Sequence, residues 1–250
     1  MSKLLSVLTG LTLLATTAIA SASSLPDVLK GSLKLYTDDQ GICSTTLVAD
    51  DLLLTAAHCV EEKNLNVRIQ TVDKDFNLLR EEVVYVKPVR VLKNMDVAIL
   101  APVDKLNDFT DVFGPYVQVV DVATQQEVDE NLVPGTTMWA VGYPKALDLT
   151  ITDGLFSTRV APIPGYWETP LYRFSAPITG GNSGGGFIIK VGNEYKLAGV
   201  NVGAFRDVEF MNFATPIESV QAVLNGFMTA KTIQLIEDSP VNPGTSLDSK

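Results

Sequence analysis

Histidine and cysteine are scarce in this 250-residue chain, with one histidine, His58, and two cysteines, Cys43 and Cys59. A disulfide framework of more than one bridge is therefore excluded. Basic charge is short as well, 19 Lys and Arg against 29 Asp and Glu, for a formal charge of -10. An acidic surface repels nucleic acid and anionic lipid, so neither is expected as a partner. Long apolar runs are confined to the N-terminus. After it, no stretch is long and apolar enough to span a bilayer, so no membrane association is expected once that segment is removed.

The N-terminal segment has the pattern of a secretory signal. Lys3 gives a positive start, Leu4 to Leu14 is mainly apolar, and Ala18-Ile19-Ala20 and Ala20-Ser21-Ala22 both fit the small-x-small rule for cleavage. Its apolar run falls short of the ~20 residues of a membrane anchor. Residues 1–22 are thus expected to be removed, taking the formal charge from -10 to about -11. The destination is extracellular or periplasmic. Oxidising conditions there favour a Cys43–Cys59 disulfide over two buried thiols. It closes a loop of about 15 residues, worth roughly 3 kcal/mol in the chain-entropy model.

With 46% hydrophobic residues the remainder can bury a full core. Short runs rich in Leu, Val and Ile predict strands at 31–36, 42–48, 52–56, 66–70, 83–91 and 97–100. A polar stretch from Asp121 to Pro134 reads as a linker, a solvated helix or a long loop. Further strands are predicted at 136–143, 149–161, 171–175, 186–190, 195–202 and 209–214. Ile217, Val220, Val223, Leu224 and Phe227 then recur at helical spacing after Thr215-Pro216. These readings divide the chain into a β-built half over 23–124, a linker over 125–135, and a second half with its helix over 136–232. A tail over 233–250 is expected to be disordered. The outline is all-β with one C-terminal helix.

His58 follows an apolar strand in Leu54-Thr55-Ala56-Ala57-His58-Cys59. A lone histidine is more often structural than catalytic, but beside a disulfide it would be held rigidly at a rim. A second feature is Gly180-Gly181-Asn182-Ser183-Gly184-Gly185-Gly186. A phosphate cradle needs a following helix and usually a lysine, whereas Phe187-Ile188-Ile189 reads as a strand. Glycines beside a serine let main-chain N–H groups turn inward, as an oxyanion site requires. Gly181-x-Ser183-x-Gly185 also fits the nucleophile elbow of α/β-hydrolases. There the histidine follows the serine, and a helix follows the turn; both conditions fail. Asp96 leads directly into an apolar run, where a carboxylate needs a partner, whereas Asp50, Asp51, Asp73 and Asp75 lie in polar clusters.

Taken together, Thr55-Ala56-Ala57-His58-Cys59, Asp96-Val97-Ala98-Ile99-Leu100 and Gly181-Asn182-Ser183-Gly184-Gly185 resemble the three signatures of the chymotrypsin/trypsin-like serine peptidases. Cys43 stands where that family bridges the cysteine after its histidine. The resemblance runs from about Lys30 to about Thr229. It implies two six-stranded antiparallel β-barrels, and a catalytic triad of His58, Asp96 and Ser183. It also implies an oxyanion hole from the N–H groups of Gly181 and Ser183. Protein or peptide substrates are implied, with no cofactor or metal, and a monomer is expected.

Within the family, Asn182 replaces the aspartate that pairs with a liberated N-terminus, so activation by that salt bridge is not expected. Asn at this position resembles the HtrA-like and staphylococcal glutamyl-peptidase branches. Pro177 stands where trypsin has its aspartate, which argues against a preference for basic residues. Pro177, Ile178, Thr179, Asn201 and Gly203 are the expected specificity pocket, with an apolar preference first and an acidic one second. Two other functions compete with an active endopeptidase. One is a catalytically silent binding protein on the same fold, which usually lacks a triad residue. The other is an HtrA-like chaperone-protease, whose PDZ domain finds no room after the helix.

Overall fold

The computed structural model describes residues 24–37, 41–61, 64–72, 78–104, 108–205, 207–227 and 229. The signal over 1–22, the tail over 233–250, Asp73 and Asp75 lie outside them. The first six strands are β1 (Ser32–Tyr36), β2 (Ile42–Ala49), β3 (Leu52–Thr55), β4 (Leu65–Val72), β5 (Leu78–Leu92) and β6 (Val97–Pro102). The second six are β7 (Thr137–Gly142), β8 (Thr150–Val160), β9 (Leu171–Phe174), β10 (Gly186–Val191), β11 (Glu194–Ala204) and β12 (Asn212–Pro216). They close two antiparallel barrels, β1-β2-β3-β6-β5-β4 and β7-β8-β9-β12-β11-β10. Both follow the same strand order, a repetition of topology that no sequence repeat announces.

The apolar runs of β3 and β6 are continuous because both of their faces are buried. Leu53, Ala98 and Leu100 point into the first barrel with Leu35, Leu47 and Val67. Their neighbours Leu52, Leu54, Val97 and Ile99 face the other way, into a core shared with Phe156, Tyr172, Phe187 and Ile188 of the second barrel. One alternating register thus supplies both a barrel interior and the wall against its partner.

Among the described residues, four short α-helices complete the fold. α1 (Leu25–Lys30) begins at Ser24, whose main-chain N–H and hydroxyl both donate to the Asp27 carboxylate, at 2.9 and 2.6 Å. α2 (Phe109–Phe113) buries both of its phenylalanines. α3 (Gln125–Asn131) occupies the polar stretch, capped by Thr124, whose hydroxyl accepts the Glu127 N–H at 3.2 Å. α4 covers residues 221–227. It starts later than its apolar spacing suggests, because Thr215 and Pro216 are still paired in β12 with Val200 and Gly199. The predicted strand at 209–214 likewise begins only at Asn212, since a turn with Phe210 in a left-handed conformation (φ 59°) precedes it. No helix among the described residues is long and apolar enough to cross a membrane.

Candidate active site

His58 is built at the end of β3. Residues Ala57–Cys59 form one 3-10 turn, in which the N–H groups of Cys59 and Val60 donate to Ala56 and Ala57 at 3.1 Å. A disulfide from Cys59 to Cys43 on β2, with Cα atoms 6.2 Å apart, fixes this turn. The His58 side chain remains 47% exposed.

Asp96 is placed by its own conformation. It takes a left-handed φ of 52° and ψ of 43°, which aspartate tolerates better than most residues, between a 3-10 turn at Lys93–Met95 and β6. The second barrel grips that turn. The Thr215 hydroxyl donates to the Met95 carbonyl at 2.6 Å, and the Thr169 hydroxyl to Asn94 at 3.2 Å. The Asp96 carboxylate then faces His58 with both oxygens. Oδ2 lies 2.8 Å from Nδ1, and Oδ1 accepts the main-chain N–H of His58 at 2.9 Å. With the Nδ1 proton held by Asp96, neutral His58 keeps its lone pair on Nε2. The same hydrogen bond raises the pKa of His58 above its ordinary 6.5; burial opposes the rise, and the charges of Asp96 and Glu61 add to it.

Ser183 sits in a turn locked by main-chain bonds. Asn182 N–H donates to Thr179 at 3.0 Å, Gly185 N–H to Asn182 at 3.0 Å, and Gly184 N–H to Asn201 at 2.8 Å. The Ser183 carbonyl accepts the N–H of Ser44, the neighbour of Cys43, at 2.7 Å, which draws the serine toward the disulfide beside His58. Gly184 has a φ of +84°, and a Cβ there would meet the Ser44 carbonyl and the Thr55 hydroxyl at 2.2 Å. No side chain fits, because the serine turn closes directly on the first barrel.

The loop that leads into Ser183 is oriented by a second set of contacts. The Gly180 carbonyl accepts the Lys145 N–H at 2.7 Å. In a trans peptide the following N–H points the opposite way, so that of Gly181 turns away from Lys145. Among the described residues, neither the Gly181 nor the Ser183 N–H donates to a main-chain carbonyl. Lys145 and Ala146 both adopt left-handed conformations, with φ of 54° and 65°. Ser44 ties the arrangement together: its hydroxyl donates to the Gly181 carbonyl at 2.8 Å and accepts the Tyr143 N–H at 2.9 Å. The serine turn, the Tyr143–Ala146 turn and β2 therefore meet at one buried hydroxyl.

Beside Ser183 opens a cleft of about 860 Å³, lined among others by Pro177, Ile178, Thr179, Gly180 and Gly203. Asn201 stands behind this wall, wholly buried, with its amide donating to the Gly186 carbonyl at 3.0 Å. Sequence reasoning missed the far wall, which includes Lys145, Phe205, Val208, Glu209, Phe210 and Asn212. Asn212 is fixed there by donating its amide to the Ala176 carbonyl at 2.9 Å. Cys43, His58 and Cys59 bring ligating atoms within 4.8 Å of one another, but the disulfide consumes both sulfurs, leaving one imidazole donor for a metal.

The family model for the trypsin-like peptidase domain matches residues 43–193. No curated protein matches the chain in sequence. Solved structures similar in fold include a serine endoprotease from Yersinia pestis, at TM-score 0.59 and 20% identity over 80% of this chain and 64% of that one. The HtrA-type protease AlgW with a tripeptide matches at TM-score 0.62 and 21% identity, over 80% of this chain and 60% of that one. Rv3671c from M. tuberculosis H37Rv, in an inactive form, matches at TM-score 0.58 and 19% identity, over 83% of this chain and 94% of that one. The chain spans less than two thirds of the length of the first two.

Proposed function

The chain belongs to the trypsin-like peptidase domain family, and from that premise we propose that it is a secreted serine endopeptidase with His58, Asp96 and Ser183 as its triad. The observation that carries this reading is the grip of Asp96 on His58, 2.8 Å at Nδ1 and 2.9 Å at the main-chain N–H. Two bonds to one carboxylate fix both the tautomer and the direction of the ring.

In this mechanism His58 Nε2 takes the hydroxyl proton of Ser183 as Ser183 Oγ attacks the scissile carbonyl. The N–H groups of Gly181 and Ser183 receive the charge that develops on the carbonyl oxygen. His58 then gives its proton to the leaving amine, which departs, and an acyl-enzyme on Ser183 remains. Water activated by His58 hydrolyses that ester and frees the serine. Asp96 stabilises the imidazolium in both halves. The acyl side of the substrate occupies the cleft by Pro177, Ile178 and Thr179, where an apolar residue fits best. Residues 1–22 direct export, 23–124 and 136–232 carry the two halves, and 125–135 joins them.

The mature enzyme needs no salt bridge from a new N-terminus. Asn182 is buried at 6% exposure, and the Gly180–Lys145 and Gly181–Ser44 bonds already orient the oxyanion loop. The test is hydrolysis of an unfolded protein by the mature form beside Ser183→Ala and His58→Ala. Cleavage lost in both variants supports the reading; cleavage that survives Ser183→Ala refutes it, and a folded mature form with no activity gives the lead to the silent binding protein.

A further inference from the structure

A second groove, of about 360 Å³, is lined by Tyr143, whereas Lys145, two residues on, lines the main cleft. Although the whole chain is acidic, Lys30, Lys34 and Arg68 line this groove, together with Tyr36, Tyr116 and Tyr143. Among the described residues, Asp148 is the one carboxylate that lines it.

Its base contains an electrostatic conflict. Lys34 on β1 and Arg68 on β4 are direct cross-strand partners, so two cations stand opposite each other on the outer face of the barrel. Like charges in such pairs are destabilising. Described neighbours relieve part of this conflict. Tyr36 lies between them, 5.9 Å from Lys34 Nζ and 4.8 Å from Arg68 Cζ. Glu81 reaches Arg68 at a long 3.7 Å, and Asn66 accepts from Arg68 Nε at 2.7 Å. Lys34 donates to the Ala146 carbonyl at 3.1 Å and sits 5.1 Å from the Tyr143 ring centre. A bound anion would face both cations at once.

In the peptidase reading the acyl side enters the cleft beside Ser183, and the groove, joined to the serine turn through Ser44 and Tyr143, is the surface assigned to the leaving side. Ser44 contacts the Ser183 carbonyl, Tyr143 contacts Ser44, and Tyr143 lines the groove. We propose that Lys34 and Arg68 bind a carboxylate side chain of the substrate, a few residues beyond the scissile bond on the leaving-group side. This inference rests on the peptidase reading above.

The test compares two peptides with the same acyl side. One carries Asp or Glu beyond the scissile bond and the other carries Asn or Gln in their place. The unmodified protein is expected to prefer the acidic peptide by about three- to tenfold in kcat/KM at low ionic strength, with the preference shrinking in ~0.5 M salt. Equal rates overturn the proposal. Arg68→Gln and Lys34→Gln should each bring the ratio toward one, and Arg68→Lys should retain it. A ratio that survives both charge removals also overturns the proposal. Each ratio is taken within one protein, so a variant with less folded enzyme still reports. Fluorophosphonate labelling of the unmodified protein separates the two failures. Labelling with equal peptide rates defeats the groove alone, while no labelling and no cleavage defeats the peptidase reading and the groove with it.

Discussion

Replacing Ser44 by alanine removes a hydroxyl that touches no substrate yet joins three segments of the site. The residue is wholly buried, and the change leaves the Tyr143 N–H and the Gly181 carbonyl without the partners they have at 2.9 and 2.8 Å. Two neutral hydrogen bonds at about 1 kcal/mol each, plus the desolvation of the groups left behind, give a stability loss of about 2–4 kcal/mol. For a protein of this size that lowers Tm by about 5–15 °C. Activity should suffer separately. Loss of one oxyanion donor typically costs about 100-fold or more, so with the Gly181 N–H in the proposed donor role, loosening rather than deleting it predicts a fall of about 10–100-fold, mainly in kcat. Steady-state kinetics well below both melting temperatures reads this directly. Thr45→Val is the control, since it removes an equally buried hydroxyl that donates to the Leu33 carbonyl at 3.1 Å, away from the serine turn. It should lose stability and keep kcat. If Ser44→Ala keeps kcat within about twofold while melting earlier, Ser44 is structural and the oxyanion loop is held by other contacts.

Other outcomes follow from the same geometry. Because Asp96 raises the pKa of His58, kcat/KM should begin to fall with acid at a higher pH than for an unperturbed imidazole; a flat profile between pH 5 and 8 contradicts His58 as the base. Stability should run the other way. The charged pair contributes fully below the unfolded pKa near 6.5 and is lost as pH rises through the raised folded value, so the excess stability of unmodified protein over Asp96→Asn should be larger at pH 5.5 than at pH 9. The half-exposed imidazole keeps that difference small. Replacing Cys43 and Cys59 together by serine should cost about 3 kcal/mol, read from denaturant midpoints, and a loss below about 0.5 kcal/mol would mean the link restrains little. Leu54→Ala, in the wall between the barrels, should cost about 2–5 kcal/mol with no change in the pH profile.

Most strands were legible as short runs rich in Leu, Val and Ile, and those of β3 and β6 are continuous because both faces are buried. α1 and α2 were not. Leu25–Lys30 and Phe109–Phe113 are too short to establish a helical period, and their buried side chains read equally well as loop anchors. The three peptidase signatures each occupy a few consecutive residues, which is why His58, Asp96 and Ser183 could be picked as candidates from the sequence. Contacts that depend on register could not be. Lys34 faces Arg68 only after β1 and β4 close the barrel, and the far wall of the cleft arrives with the turn before β12. One signal was available and unused: Ser44, Thr45 and Thr46 put three hydroxyls in a row on an otherwise apolar strand. All three are buried, and buried hydroxyls call for partners, which those of Ser44 and Thr45 have at the Gly181 and Leu33 carbonyls.

The most direct test of the central claim is fluorophosphonate labelling of the purified mature protein, with the adduct located by peptide mass mapping. A His58-activated serine predicts one adduct on Ser183, formed at a rate that falls with acid and abolished in His58→Ala. An adduct on another residue, undiminished labelling in His58→Ala, or a folded protein that takes up no label would contradict the assignment of the triad.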